Sequence, residues 1–190
     1  MKDQIQPTLS MTEPPDIPEA YRKTLINFLA PYYGGRKWEL QESFGFHQLP
    51  VLTTEQLLLT PLAHQLATIA RAAAGHIPDD ADDLARGTLY EAIQGLMEDL
   101  FAPRGLGTAY HIPATFWDSP LGQMVARAYL WLKGDELITL AEAAEIRGVT
   151  IPAMSQAVSS GRLTRYVDPN ASARQGRTLV SRAEVEAMDE

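Results

Sequence analysis

Eight side chains between positions 150 and 177 are of types that contact phosphate groups and the edges of nucleic-acid bases. Four are arginines, whose planar guanidinium groups donate paired hydrogen bonds to phosphate or guanine. The other four carry hydroxyl or amide groups, which make short-range hydrogen bonds to the same partners. The eight residues are Thr150, Ser155, Gln156, Ser159, Arg162, Arg165, Arg174 and Arg177. Their chemistry favours an anionic partner such as DNA.

The positive charge of the chain is concentrated around these residues. The chain has 190 residues and a formal net charge of −8, which argues against non-specific binding to nucleic acid or to an anionic membrane. Within residues 150–182, however, five arginines stand against Asp168 alone, so this segment is basic. Most of the negative charge lies on residues 1–138, and we expect it to suppress loose DNA binding by repulsion.

Two short helices are predicted to position the first part of this segment. Thr139 and Glu142 have capping-box spacing, so a helix should begin at about Leu140. Gly148 supplies a left-handed turn, and Thr150 then caps a second helix that runs to Gly161. This spacing is typical of a helix–turn–helix. The side chains expected to face inward from the first helix and the turn are Leu140, Ala143, Ala144, Ile146 and Val149.

A β-hairpin is predicted to follow the second helix. Residues 163–167 and 178–180 have strand-like composition, and the polar turn "DPNASARQG" between them carries Arg174. Ser181 and Glu184 have capping-box spacing for a last short helix, 182–188. Helix, turn, helix, strand, wing, strand and helix is the order of a winged helix–turn–helix.

Residues 138 to about 187 resemble the winged helix–turn–helix of the excisionase and MerR-like families. The resembling segments are "ITLAEAAEIRGVT", the short second helix ending in "SGRL", and "RTLVSRAEVEA". The resemblance implies that the second helix enters the major groove while the wing contacts the backbone or the minor groove. The Arg-Tyr-Tyr element usual in MerR proteins is absent, so a MerR effector mechanism is not implied.

By position, the resemblance places Ser155, Gln156 and Ser159 toward base edges or phosphates. It places Arg162 and Arg165 where helix and wing meet the backbone, and it places Arg174 and Arg177 on the wing. The second helix carries no arginine or lysine of its own. We therefore expect most charge contacts to come from the residues after it.

The first 134 residues are predicted to comprise a disordered N-terminus (1–15) and an α-helical domain (16–134). Asp16 starts the first helix signal, which Pro31 is expected to end. Residues 32–52, rich in glycine, are interpreted as an extended loop or a short hairpin.

Three further helices are predicted in this domain. Thr60-Pro61 and Ser119-Pro120 each place a capping hydroxyl before a first-turn proline, and residues 79–103 form an apolar helical stripe. No motif here indicates a role, so dimerisation or partner binding is assigned to the domain by elimination.

Other chemistries find little support in the sequence. The chain has no cysteine, which excludes disulfides, thiolate zinc sites and cysteine nucleophiles. The aspartates within 79–83 lack the pattern of a calcium loop, and the four histidines lack zinc-ligand spacing. No signal peptide and no apolar run of membrane-spanning length is present. The sequence thus predicts no metal, no cofactor, no enzyme activity and a cytoplasmic location.

The sequence as a whole predicts a mainly α protein: an N-terminal helical domain followed by a C-terminal winged helix–turn–helix (138–188) with a small β-hairpin. The predicted function is sequence-specific binding of double-stranded DNA, as a transcriptional regulator or a recombination accessory factor. Since one small module makes few base contacts, a homo-oligomer is expected. The alternative is a protein-interaction adaptor whose winged domain binds protein rather than DNA.

Overall fold

The computed structural model describes residues 13–44, 51–76, 83–102, 111–168, 171 and 178–188, and over 36–44 it describes the backbone alone. These residues are mainly helical, with a small antiparallel sheet near the C-terminus, which confirms the prediction of a mainly α protein. The helices are α1 (Glu19–Phe44), α2 (Thr54–Leu58), α3 (Pro61–Ala73), α4 (Asp83–Phe101), α5 (Ala114–Asp118), α6 (Pro120–Leu132), α7 (Leu140–Arg147), α8 (Ile151–Ser159) and α9 (Arg182–Glu186). The strands are β1 (Leu137–Thr139), β2 (Tyr166–Val167) and β3 (Thr178–Ser181). None of the helices in the described ranges combines the length and the apolar content that a membrane span requires.

Helix α1 is longer than the sequence predicted. The expected end at Pro31 is wrong, because α1 continues through the proline to Phe44. The loop or hairpin expected for 32–52 is therefore wrong over 32–44, and its part at 45–50 lies outside the described residues. A proline inside a helix costs about 3 kcal/mol. Aromatic packing spans the proline, since the rings of Phe28 and Tyr32 lie 5.5 Å apart and both side chains pack against the core. This tertiary packing offsets the local penalty.

Two predicted helix starts in the N-terminal part are confirmed together with their caps. Thr60 Oγ1 accepts a hydrogen bond from Ala63 N, and Pro61 opens α3. Ser119 Oγ accepts one from Gly122 N at the start of α6. In each case the hydroxyl satisfies an amide that has no partner within its helix, and a first-turn proline loses no hydrogen bond. Helices α3 and α6 then pack against each other.

The N-terminal helices share one apolar core, built from α1, α2, α3, α4 and α6. Each leucine-sized side chain that is fully buried contributes about 1.5–3 kcal/mol to stability. The largest fully buried side chains of this cluster are Leu25, Leu29, Leu66, Ile69, Leu89, Leu96, Met124 and Val125. Of the predicted disordered N-terminus, residues 1–12 lie outside the described residues.

The C-terminal sheet has three strands in the order β1-β3-β2, with β3 in the centre. The two strands predicted for the hairpin pair antiparallel, with Tyr166 opposite Leu179. Strand β1 was not predicted, so the expectation of a hairpin alone is corrected: Ile138 lies opposite Val180 in a second antiparallel pairing. A three-residue strand ending at a helix cap has no periodic signal, and its partner is distant in the sequence.

A second, separate core lies beneath this sheet. Its buried members come from β1, β3 and helices α7, α8 and α9, together with the segment after α8. They are Ile138, Ala143, Ala144, Met154, Ala157, Leu163, Val180 and Val185. The alanines of α7 are small, which lets α8 pack closely against it.

The turn between α7 and α8 agrees with the prediction in backbone but not in side chains. Thr139 and Glu142 form the expected capping box, and Gly148 is left-handed with φ = 65°. Ile146 and Val149, which were predicted to face inward, are instead 39% and 43% exposed. The interface between α7 and α8 is already filled by the alanines of α7 and the buried residues of α8, so these two side chains stay at the surface.

Arg127 on α6 links the N-terminal core to strand β2. Its guanidinium donates to Val167 O at 2.9 Å through Nη1 and to Ala73 O at 3.2 Å through Nε. Gln123, one turn earlier, accepts a hydrogen bond from Val167 N at 3.1 Å. Tyr21 on α1 donates its hydroxyl proton to the same Ala73 carbonyl. Val167 of strand β2 is therefore held against the N-terminal helices through both its backbone N–H and its carbonyl oxygen.

Opposite stability changes are expected from two glycine-to-alanine substitutions. Neither added Cβ atom meets another atom within 4 Å, so backbone conformation decides both outcomes. Gly148→Ala should destabilise by about 1–2 kcal/mol, since an L-residue disfavours the left-handed region. Gly87→Ala, at an exposed position inside α4, should stabilise by about 0.5–1 kcal/mol. Urea unfolding followed by circular dichroism measures both changes, and a destabilised Gly87→Ala would contradict this account.

Candidate nucleic-acid interface

Helix α8 divides into a buried face and an exposed face. Met154 and Ala157 are buried in the C-terminal core. Ser155, Gln156 and Ser159 are exposed on the opposite side. At about 100° per residue, the exposed positions from Ile151 onward span an arc of roughly 140°. The three polar side chains that the sequence singled out on this helix therefore share one solvent-facing surface, which we call the α8 face (Ile151, Pro152, Ser155, Gln156 and Ser159).

Thr150 precedes α8 but does not cap it through its side chain, contrary to the prediction. The second residue of the helix is Pro152, which has no amide hydrogen, and Ala153 N donates to Thr150 O at 3.0 Å. The hydroxyl is thus not required by the helix, and Thr150 is exposed beside the α8 face. By contrast, the Ser159 hydroxyl donates to Ser155 O one turn earlier.

Arg162 and Arg165 are held on a well-anchored segment that follows α8. Leu163 and Tyr166 are buried between and after them, at 2% and 7% exposure. Thr164 donates from its backbone N and its hydroxyl to the Glu184 carboxylate at 2.8 and 2.9 Å. These three anchors fix the backbone, and both arginine side chains remain exposed.

Arg182 forms ion pairs with carboxylates, and in this it differs from Arg162 and Arg165. Arg182 pairs with Glu136 at 2.8 Å and approaches Glu186 at 3.8 Å. Within the described ranges, Arg162 and Arg165 have no carboxylate partner of this kind; Arg162 Nε donates only to the Ser160 hydroxyl, at 3.4 Å. Their charge is therefore available to an external anion, whereas that of Arg182 is partly neutralised.

Two acidic residues, Glu184 and Asp135, organise this surface through contacts that the sequence did not predict. Glu184 was expected to complete a capping box with Ser181, but its carboxylate accepts from Thr164 instead. Ser181 still caps α9, accepting from Glu184 N, and it donates its hydroxyl proton to Asp135. Asp135 also accepts from Ala183 N at 3.1 Å. These contacts join residues far apart in the sequence, so no local pattern could have found them.

The pKa of Tyr166 is raised to about 12, first by burial and then by the charges of Glu184 and Asp135. The pKa of Tyr166 in the folded protein therefore lies above its value near 10 in the unfolded chain. The neutral phenol consequently contributes to the stability of the fold. That contribution is complete below pH 10 and is lost as the pH rises toward 12. We expect the unfolding free energy of the wild type to fall more steeply above pH 10 than that of Tyr166→Phe, by up to about 1.4 kcal/mol per pH unit. Urea unfolding at pH 8 and 10.5 tests this, and equal pH dependence would contradict it.

Six of the eight predicted contact residues lie within the described part of the chain, and all six are exposed. They are Thr150, Ser155, Gln156, Ser159, Arg162 and Arg165. They occupy α8, the residue before it and the anchored segment after it, so they lie on one short stretch of the chain, 150–165. Arg174 and Arg177 lie outside the described residues.

Metal binding was the other chemistry considered from the sequence. Among the described residues no group of three His, Asp or Glu side chains is placed to hold a metal ion. Of the acidic cluster weighed for metal binding, Asp79, Asp80 and Asp82 lie outside the described residues. Comparisons with protein-family models, with curated proteins and with solved structures found no match for this chain.

Proposed function

We propose that this protein binds double-stranded DNA sequence-specifically through residues 138–188, as a transcriptional regulator or a recombination accessory factor. The observation that carries the proposal is the placement of the polar side chains of α8. Met154 and Ala157 fix one side of the helix in the core, while Ser155, Gln156 and Ser159 face solvent. A helix held in this way, after a short turn, can be inserted into a groove without losing its packing.

The dimensions of α8 suit the major groove of DNA. A helix of 9 residues is roughly 13 Å long, and a groove about 12 Å wide admits a helix with its side chains. Ser155 and Ser159 are one turn apart, so they would face neighbouring base pairs. Thr150 would approach the phosphates beside the N-terminal end of the helix.

The arginines after α8 supply the electrostatic part of the proposal. Arg162 and Arg165 follow α8 directly and would contact backbone phosphates. Arg174 and Arg177, by their position in the sequence between β2 and β3, would extend the contact along a wing. Phosphate contacts of this kind fix the orientation of the protein on the duplex, and base contacts from α8 give the specificity.

The order of elements supports a winged helix–turn–helix. Strand β1, helices α7 and α8, and strands β2 and β3 follow one another, with β3 central in the sheet. The N-terminal helices would supply a second copy of the module through homo-oligomerisation, because one short helix reads too few base pairs for useful specificity.

A second candidate function is a protein-interaction adaptor, in which the same surface binds protein. The observation that favours it is the group of exposed apolar side chains around the turn, Ile146, Val149 and Ile151. The absence of arginine and lysine from α8 points the same way. Such binding would be insensitive to salt, whereas DNA binding would not.

The test is fluorescence anisotropy of a labelled mixed-sequence duplex, titrated with the full chain at about 50 and 200 mM salt. Binding that weakens steeply with salt is expected, because each neutralised phosphate adds about 0.9 to the logarithmic salt slope. Absence of binding at the lower salt concentration would reject the DNA proposal. Salt-insensitive capture of a protein partner, with no DNA affinity, would support the adaptor.

A further inference from the structure

The α8 face has no cation that could read guanine. Helix α8 is "IPAMSQAVS", with no arginine or lysine, and the next cation along the chain is Arg162, beyond the helix end at Ser159. Paired hydrogen bonds from arginine or lysine to guanine O6 and N7 are the commonest specific contact in the major groove. The base-facing part of this helix therefore lacks the usual means of selecting a G·C pair.

Two side chains at the borders of the α8 face suit an A·T pair instead. Gln156 is exposed, and its amide carries the donor and acceptor that match adenine N7 and N6. Ile151 is 50% exposed, so the fold leaves about half of this large apolar side chain open to contact with a ligand. An apolar side chain at this place suits the C5-methyl group of thymine.

The serines between these two side chains allow the helix to come close to the bases. On the helical arc, Ser155 and Ser159 lie between Ile151 on one side and Gln156 on the other. Ser159 has already given its hydroxyl proton to Ser155 O, so it is compact and oriented along the helix. The serines, and the compact ring of Pro152 that also lies on this arc, leave room for the two longer side chains to reach the base edges on either side.

We infer that the α8 face recognises A·T base pairs, with Gln156 hydrogen-bonded to adenine and Ile151 against a thymine methyl group. The inference rests on the proposed DNA binding. It specifies, in addition, which base pairs the α8 face contacts. Guanine contacts, where the complete target contains them, come from outside α8. The A·T preference is therefore set by α8, and the arginines contribute affinity rather than this preference.

The experiment is selection by the full chain from a duplex library with a randomised central segment, followed by affinity measurement on the enriched duplexes. A·T pairs are expected at the positions contacted by α8. Gln156→Ala should reduce discrimination at one adenine position by about 5- to 150-fold. The matched control is Gln94→Ala on α4, which should leave the selected sequence unchanged. Because Gln156 is exposed, circular dichroism should report an unaltered fold for its variant.

A second arm tests the thymine contact. Replacing thymine by uracil in an enriched duplex removes only the C5-methyl group, and wild-type affinity should fall roughly fourfold. Ile151→Ala should bind the thymine and uracil duplexes equally.

The outcomes separate the inference from the proposed function. Enrichment of G·C pairs at the α8 positions overturns the inference while DNA binding stands. The same conclusion follows if Gln156→Ala keeps wild-type selectivity, or if Ile151→Ala still distinguishes uracil from thymine. If the protein retains no duplex from the library even at low salt, both the proposed function and the inference are rejected.

Discussion

Replacing Arg162 and Arg165 together by alanine is expected to lower the affinity for duplex DNA by about 100-fold or more at low salt. Both guanidinium groups are exposed, and in the described part of the chain neither pairs with a carboxylate. A hydrogen bond to a charged group contributes about 1.5–3 kcal/mol, so two such contacts account for the loss. The logarithmic salt slope should also fall by about two, one for each phosphate no longer neutralised. Anisotropy titrations at several salt concentrations measure both quantities.

The control for this variant is Arg22→Ala with Arg71→Ala. These arginines are exposed on α1 and α3, and their removal changes the net charge by the same amount. If the loss came from net charge alone, both double variants would bind equally weakly. Equal affinity and salt slope in the two variants would therefore contradict a phosphate-contacting role for Arg162 and Arg165.

Adding Arg174→Ala and Arg177→Ala should weaken binding further and uniformly across sequences.

Ile138→Ala should destabilise the C-terminal core by about 2–5 kcal/mol. Ile138 is 2% exposed and lies between the sheet and the helices, opposite Val180 on β3. Removing it leaves a cavity in a small core in which Ala143, Ala144 and Ala157 are too short to fill the space. Amide hydrogen exchange at β1 and β3, measured by NMR, should show the loss of protection directly.

Ile146→Ala provides a control with the same chemical change. Ile146 is 39% exposed on the neighbouring helix, so its substitution should cost less than about 1 kcal/mol. The prediction also has a functional consequence, since loosening the core should release α8 and lower DNA affinity in Ile138→Ala only. Similar protection factors in the two variants would show that β1 does not stabilise this part of the protein as described.

The helix starts could be predicted because their signals are local. Thr60, Ser119 and Thr139 each place a hydroxyl within three residues of the amide that it satisfies. The same reasoning failed at Pro31 because aromatic packing on both sides of the proline outweighs its local cost. It failed again at Thr150, where a proline in the second helical position removes one of the amides that a cap would serve.

The exposure of Ser155, Gln156 and Ser159 agrees with the positions that the family resemblance implied for them, whereas the contacts that support α8 had no signal in the sequence. The Thr164–Glu184 hydrogen bonds, the Ser181–Asp135 hydrogen bond and the Arg127–Val167 contact join residues 20, 46 and 40 positions apart. Pairings at such separations depend on the complete fold, and one sequence has no signal for them. The inward orientation expected for Ile146 and Val149 was wrong for a related reason, since alanines on α7 already close the interface.

The most direct test of the central claim is an NMR titration of ¹⁵N-labelled full-length protein with an unlabelled duplex. If the α8 face and the segment after it bind DNA, the largest amide shift changes should fall on Ser155, Gln156, Ser159, Arg162 and Arg165. Amides in the N-terminal core, such as those of Leu66 and Leu96, should change little. Shift changes confined to the N-terminal helices, or no changes at a low salt concentration, would contradict the proposed interface.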